Sequence, residues 1–158
     1  MKLESHSALN REFGDRNLDG QPRVKKVACM TKEECGQLTV LRVEQRALEK
    51  GFIVSRPSTQ VRYDLIVDDG KERYRVQVKY ANGKSSHSTG VATVDFRRRG
   101  KKYLRGQIDS IAVYVAPVGC VCWFGPDLFD QRRGLTIRYA PSKNRQGKKC
   151  LLVETFKW

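Results

Sequence analysis

Two apolar segments joined by a short turn constrain the fold of this chain more than any other feature. The first covers residues 63–67 and the second residues 74–79, with Asp68-Asp69-Gly70 following the first. Turn-forming residues between two such runs are typical of a β-hairpin. Side chains alternate between the two faces of a strand, so Gln77 and Lys79 are predicted to point to the same face.

The predicted hairpin places side chains of complementary chemistry together. Asp64 opens the first strand, and Gln77 and Lys79 belong to the second. Divalent cations prefer oxygen ligands, which the Asp64 carboxylate, the Gln77 amide and the backbone carbonyl of Val78 provide. Lys79 would then hold or deprotonate a water next to a phosphate. The sequence therefore predicts a phosphodiester-cleaving site that uses Mg²⁺ or Mn²⁺ as its cofactor.

These residues also carry a family resemblance. Asp64 followed, after a short hairpin, by Gln77-Val78-Lys79 resembles the PD-(D/E)xK nuclease motif, with glutamine in the usual acidic position. Residues 62–79, 103–115 and 143–146 together resemble the homing endonucleases of this type from cyanobacterial group I introns. The likeness spans about residues 36–156. It implies an α/β fold with a restriction-endonuclease-like core, in which helices flank a mixed central β-sheet.

A helix that runs to about Lys50 and is ended by Gly51 is predicted before the hairpin, and it departs from the resembled pattern. In that family it donates a glutamate to the metal site, four residues after a glycine, but here Gly36 plus four is Val40. Glu44 lies one helical turn after Val40 and is the favoured replacement. Gln37 lies one turn before it and would contribute an amide oxygen. The third interpretation is that the position is lost.

Each interpretation of the helix predicts a function. A complete site implies a DNA endonuclease that cuts a specific duplex site. A lost position implies a sequence-specific DNA-binding protein with weak or absent nuclease activity. A Holliday-junction resolvase or another restriction-like nuclease on the same fold is the remaining alternative.

The charge of the chain favours a nucleic-acid partner. Lysine and arginine number 31 against 17 aspartates and glutamates, which gives a net charge of +14. A positive surface binds polyphosphates because neutralised phosphates release condensed counterions. The predicted contacts to double-stranded DNA lie in three polar or basic segments: Lys84 and Ser86; Arg97, Arg98, Arg99, Lys101, Lys102 and Arg105; Lys143, Arg145 and Lys148.

The remaining predictions concern organisation. Residues 31–158 are predicted to form the nuclease domain, preceded by a flexible basic leader at residues 1–30. The apolar runs 111–115 and 120–124 predict central strands covered on both faces.

No apolar run approaches the roughly 20 residues needed to cross a bilayer. We therefore expect no membrane partner and a cytoplasmic location, nucleoid-associated in a prokaryote or organellar in a eukaryote. A small enzyme that cuts both strands is expected to be a homo-oligomer, a dimer or a tetramer.

Overall fold

The predicted hairpin forms the middle of a sheet in the computed structural model, which describes residues 30–83, 89–141 and 151–158. Strands β2 (Leu65–Asp68) and β3 (Arg73–Ala81) pair antiparallel, with Leu65 opposite Val76. The turn is built by aspartate side chains. Asp68 accepts a hydrogen bond from the Gly70 N–H at 2.8 Å, and Asp69 accepts from the N–H groups of residues 71 and 72. The hairpin prediction is confirmed, and turn chemistry accounts for both aspartates.

The hairpin belongs to a five-stranded sheet. Its order is β1-β2-β3-β7-β8, where β1 is Ile53–Ser55, β7 is Ser110–Val115 and β8 is Cys120–Phe124. Strands β3 and β7 run parallel, and the other neighbours run antiparallel. Strand β7 is central, as its apolar run predicts. Strand β8 instead ends the sheet. Its faces are covered as predicted, with Cys122 and Phe124 in one apolar cluster and Val121 in the other, and the Trp158 N–H donates to the Val121 carbonyl at 2.9 Å along the outer edge.

Helix α1 (Lys32–Glu49) covers one face of this sheet. Its buried residues Val43 and Ala47 pack in one cluster with Val76, Val78 and other apolar side chains of the strands. The helix ends where the sequence predicts, because Gly51 adopts a φ of 78°, a left-handed conformation that glycine reaches without strain. The helix therefore lies against the even-numbered side chains of β3.

The opposite face packs against a second layer. A three-stranded sheet has the order β10-β9-β4, with β4 at Val91–Asp95, β9 at Gly134–Arg138 and β10 at Leu151–Leu152. A small hairpin joins β5 (Arg97–Arg98) to β6 (Lys101–Lys102), and two short helices are α2 (Pro126–Phe129) and α3 (Val153–Phe156). Phe96, Tyr103, Phe124 and Phe129 are fully buried in this core.

Residues Lys32–Trp158 form one unit of the chain. The predicted leader, residues 1–30, lies outside the described residues apart from Met30, and so do the predicted DNA contacts Lys84, Ser86, Lys143, Arg145 and Lys148. Within the described part, no helix is both long and apolar enough to cross a membrane.

Candidate active site

Asp64 is fixed to β3 by both its backbone and its side chain. It lies one residue before β2, and its N–H donates to the Val76 carbonyl at 2.9 Å. Its carboxylate oxygen Oδ2 accepts from the Val78 N–H at 2.8 Å and from the Gln77 side-chain amide. Burial raises the pKa of Asp64, and the hydrogen bond from Val78 partly opposes that rise. A buried carboxylate of this kind gains stability from any cation that joins it.

Gln77 points away from α1 and is only 6% exposed. Its Oε1 accepts a hydrogen bond from the Tyr103 hydroxyl at 2.7 Å. Its Nε2 donates to Asp64 and, at 3.1 Å, to the Val78 carbonyl. The amide is therefore fixed at both ends, with its nitrogen facing the carboxylate.

Lys79 lies two residues further along the same face of β3. Its Nζ donates to the Arg97 carbonyl at 2.7 Å and lies 5.5 Å from the centre of the Tyr103 ring. Burial lowers the pKa of Lys79, while Asp95 and Asp64 act in the opposite direction. The structure thus brings Asp64, Gln77 and Lys79 together, as the hairpin register predicts.

The helix side of the site is a groove between α1 and the hairpin. Its lining includes Glu33, Gln37 and Val40 from the helix and Asp64 and Val78 from the strands. Gln37 therefore shares a groove with the carboxylate at the predicted site. Its exposed side chain is free of the core packing that holds its buried neighbours in α1.

Glu44, the favoured helix residue in the sequence, has a different partner. Arg56, just after β1, donates to both of its carboxylate oxygens, with Nη2 2.7 Å from Oε2. Glu44 does not line the groove that contains Asp64. A metal-binding role for Glu44 stays a prediction, but the geometry favours Gln37, because a two-point pair between charged groups is among the stronger polar contacts.

A family model described as PD-(D/E)XK endonuclease matches residues 30–158. The chain belongs to the PD-(D/E)XK endonuclease family. Its fold is similar to that of a bacterial homing endonuclease, I-Ssp6803I, with a TM-score of 0.64 and 23% sequence identity over 82% of this chain and 88% of that one. A comparison with curated protein sequences gives no match. The predicted family and the restriction-endonuclease-like fold class are confirmed.

The donor set of this PD-(D/E)XK endonuclease fits one kind of metal ion. Among the residues that the structure describes, no three histidine, cysteine, aspartate or glutamate side chains cluster as ligands. The other groups that could supply an oxygen are the Val78 carbonyl, the Gln77 amide, whose nitrogen now faces Asp64, and the amide of Gln37, which lines the same groove. Mg²⁺ typically keeps several waters and binds one or two carboxylates together with substrate phosphates. The site fits such an ion if the Gln77 amide turns over to present its oxygen.

The predicted DNA contacts of the endonuclease divide by their partners. Arg97 pairs with Asp95 and Arg105 with Asp127, each at less than 3 Å. The remaining described ones lie on the β5–β6 hairpin: Arg98, Arg99, Lys101 and Lys102. The hairpin is attached to the site through Lys79, whose ammonium binds the Arg97 carbonyl.

Sequence reasoning gave no role to two residues that shape this site. Tyr103 holds the Gln77 amide, and Arg62 lies over the Tyr103 ring, 4.7 Å from its centre. An aromatic residue after a basic run carries no sign that its hydroxyl is buried against the active-site glutamine. These partners are far apart in the sequence, so only the fold reveals them.

Proposed function

We propose that this endonuclease hydrolyses phosphodiester bonds of double-stranded DNA at a specific site, as a homing endonuclease does, with Mg²⁺ or Mn²⁺. The observation that carries the proposal is the cluster of Asp64, Gln77 and Lys79 at the β2–β3 hairpin. The family membership supports endonuclease chemistry, and the similarity of the fold to that of I-Ssp6803I, a homing endonuclease, supports the choice of substrate.

Asp64 is the anchor for the metal ion in this proposal. It would hold the ion together with the Val78 carbonyl and the side chain of Gln37 from across the groove. When bound, such an ion lowers the pKa of a coordinated water and stabilises negative charge on the phosphate. With Asp64 as the one carboxylate among these ligands, the remaining positions suit waters and phosphate oxygens. Tight metal binding is therefore expected to need DNA.

Gln77 would supply an oxygen ligand if its amide turned over. Its Oε1 would then face Asp64 and the ion, and its Nε2 would face Tyr103. A tyrosine hydroxyl can accept as well as donate a hydrogen bond, so the same Tyr103 side chain supports both orientations. Burial raises the pKa of Tyr103 to about 12, so the hydroxyl stays protonated near neutral pH.

Lys79 positions the attacking water and a phosphate oxygen. An ammonium group has three donors, and the Arg97 carbonyl takes one of them. The other donors can be shared between the water and the phosphate. Because that carbonyl fixes the direction of the side chain, Lys79 is oriented before DNA arrives, which lowers the entropic cost of reaching the transition state.

The same proposal covers the assembly and location of the protein. A chain with one such site needs a second copy to cut both strands of a duplex, so a dimer or tetramer follows. We also propose a cytoplasmic location, where the protein would be associated with the nucleoid of a prokaryote, or an organellar location in a eukaryote.

A plasmid-nicking assay tests the reaction. The wild-type chain is incubated with supercoiled plasmid in Mg²⁺, in Mn²⁺ and in EDTA, beside Asp64→Asn and Lys79→Met. We expect nicking only with metal, and a loss of at least about 100-fold in each variant, as for removal of one key electrostatic group. Glu49→Gln is the matched control at a distant exposed carboxylate, and it should cut like the wild type.

Four outcomes would contradict the proposal. Nicking that survives in EDTA or in Asp64→Asn would place the chemistry elsewhere. Duplex binding without nicking would support the DNA-binding alternative. Preference for four-way junctions would support the resolvase alternative. Sequencing the ends produced from a randomised plasmid library tests site specificity, and ends without a shared motif would contradict it.

A further inference from the structure

A second groove lies beside the candidate active site, and its charged residues are all basic. Its lining is Gln60, Val61, Arg62, Arg98, Arg99 and Lys101, contributed by the loop before Asp64 and by the β5–β6 hairpin. It is distinct from the groove beneath α1, with which it shares none of these residues. We call it the hairpin groove.

The cations of the hairpin groove differ from most other arginines in their partners. Six arginines elsewhere in the described chain form ion pairs with carboxylates: Arg46, Arg56, Arg73, Arg75, Arg97 and Arg105. Those ion pairs include none of the four cations of the hairpin groove. Their positive charge is therefore not neutralised by any carboxylate within ion-pair distance in the part of the chain that the structure describes.

Two of these guanidinium groups are already oriented by neutral acceptors. Arg62 donates to the Lys102 carbonyl at 2.8 Å and lies over the Tyr103 ring. Arg98 donates to the Val61 carbonyl. A carbonyl fixes a guanidinium without cancelling its charge. Such a group loses little side-chain freedom when an anion binds, which favours affinity.

The hairpin groove is electrostatically continuous with the catalytic cluster. The Tyr103 ring lies between Arg62 and Lys79, at 4.7 and 5.5 Å from its centre. Lys79 also binds the carbonyl of Arg97, the residue that precedes Arg98. Arg98 helps to keep the Asp64 carboxylate charged, and Arg98 and Arg62 disfavour the charged form of Lys79. An anion in the groove would relieve that repulsion.

We propose that the hairpin groove binds a backbone phosphate of the DNA strand being cut, next to the phosphate at Asp64. This inference rests on the proposed DNA endonuclease function. It assigns to the groove the task of setting the position of the strand, with Arg62 and Arg98 as oriented donors and Arg99 and Lys101 as exposed cations. Guanidinium groups suit this task because their donors match two phosphate oxygens at once.

The salt dependence of DNA binding tests the groove. Binding of a short duplex of arbitrary sequence is measured in EDTA, so that no cleavage occurs, over a range of salt concentrations. The chain is compared with Arg99→Ala/Lys101→Ala, in which both changes are on the surface. We expect weaker binding and a slope of log K against log salt that is shallower by about 0.9 for each phosphate that the variant no longer neutralises.

The matched control removes the same charges elsewhere. Lys71→Ala/Arg73→Ala also deletes one lysine and one arginine, at the exposed turn of the β2–β3 hairpin. Its slope should equal that of the wild type. Equal slopes for the groove variant and the control would overturn the proposal. A second result would also overturn it: the wild type binds inorganic phosphate saturably and the groove variant does not, yet the two have the same slope of log K against log salt for DNA.

This experiment separates the groove from the reaction. If the wild type does not nick DNA with Mg²⁺ or Mn²⁺, the proposed function is contradicted. The salt slopes of the wild type and the groove variant then still test whether the groove binds phosphate. If the wild type nicks DNA but the groove variant has the same salt slope, only the phosphate-binding role of the groove is contradicted.

Discussion

Tyr103→Phe tests the most buried polar contact of the site. Tyr103 is fully buried, and its hydroxyl lies 2.7 Å from Gln77 Oε1 on a side chain that is 6% exposed. A typical hydrogen bond contributes about 0.5–1.5 kcal/mol net, but a buried acceptor left without a donor costs about 1–3 kcal/mol. Because the fold leaves no solvent to replace the hydroxyl, we expect the free energy of unfolding to fall by about 1–3 kcal/mol.

Urea unfolding provides the assay. Trp123 and Trp158 stack with ring centres 4.5 Å apart, so their fluorescence reports the packing of the core. The slope of stability against urea is about 1–3 kcal/mol per molar for small proteins, which places the expected fall of the midpoint near 1 M. The rate of nicking should fall as well, because the proposed orientation of Gln77 needs the Tyr103 hydroxyl to accept a hydrogen bond from Nε2.

The control for this prediction is Tyr74→Phe. That hydroxyl donates to the exposed Glu72 at 3.0 Å, and its loss should cost less than about 0.5 kcal/mol. Equal losses in the two variants, or none in Tyr103→Phe, would refute the argument that burial sets the size of the effect. A destabilised Tyr103→Phe that cuts normally would refute the role assigned to the amide orientation.

Three further predictions concern other parts of the fold. Burial raises the pKa of Asp64 above its ordinary 3.8, so the free energy of unfolding falls as pH rises from the pKa of the unfolded chain through that of the folded protein. Asp64→Asn should therefore be more stable to urea than the wild type at pH 7 in EDTA. Equal stabilities at pH 7 would contradict this. An added Cβ at Gly134 would lie 2.2 Å from a backbone oxygen of β4, so Gly134→Ala should lower the melting temperature by several degrees. The control is Gly125→Ala, which should change the melting temperature little because the added Cβ would meet no neighbouring atom within 4 Å. Glu44→Gln should cost about 1 kcal/mol or less, as for other partly exposed pairs, and leave nicking unchanged; a loss of nicking at normal stability would restore Glu44 as a metal ligand.

The hairpin could be predicted from the sequence because its signals are local. Turn formers between two apolar runs fix the register, and register alone puts Gln77 and Lys79 on one face beside Asp64. The end of α1 was predictable for the same reason, since Gly51 can adopt the conformation that ends a helix. Short-range stereochemistry decides each of these features.

The helix-side residue and the buried partners could not be predicted, because they depend on long-range contacts. Glu44 pairs with Arg56, which lies outside the helix, whereas Gln37 lines the groove that contains Asp64. The contact of Tyr103 with Gln77 spans 26 positions of the chain. The edge position of β8 was missed because both faces of this strand are covered, as in an interior strand, while C-terminal residues lie along its outer edge.

The β5–β6 hairpin is attached to its surroundings through main-chain carbonyls. Arg97 and Lys102 contribute carbonyl oxygens to Lys79 and Arg62, and Val61 contributes one to Arg98. Every amino acid has such an oxygen, so substitutions at the accepting positions leave those attachments in place. Arg99 and Lys101 take no part in these attachments, so removing their charge leaves the β5–β6 hairpin bound to Lys79 and Arg62. The position of this hairpin beside Asp64, Gln77 and Lys79 is therefore independent of the charge of Arg99 and Lys101.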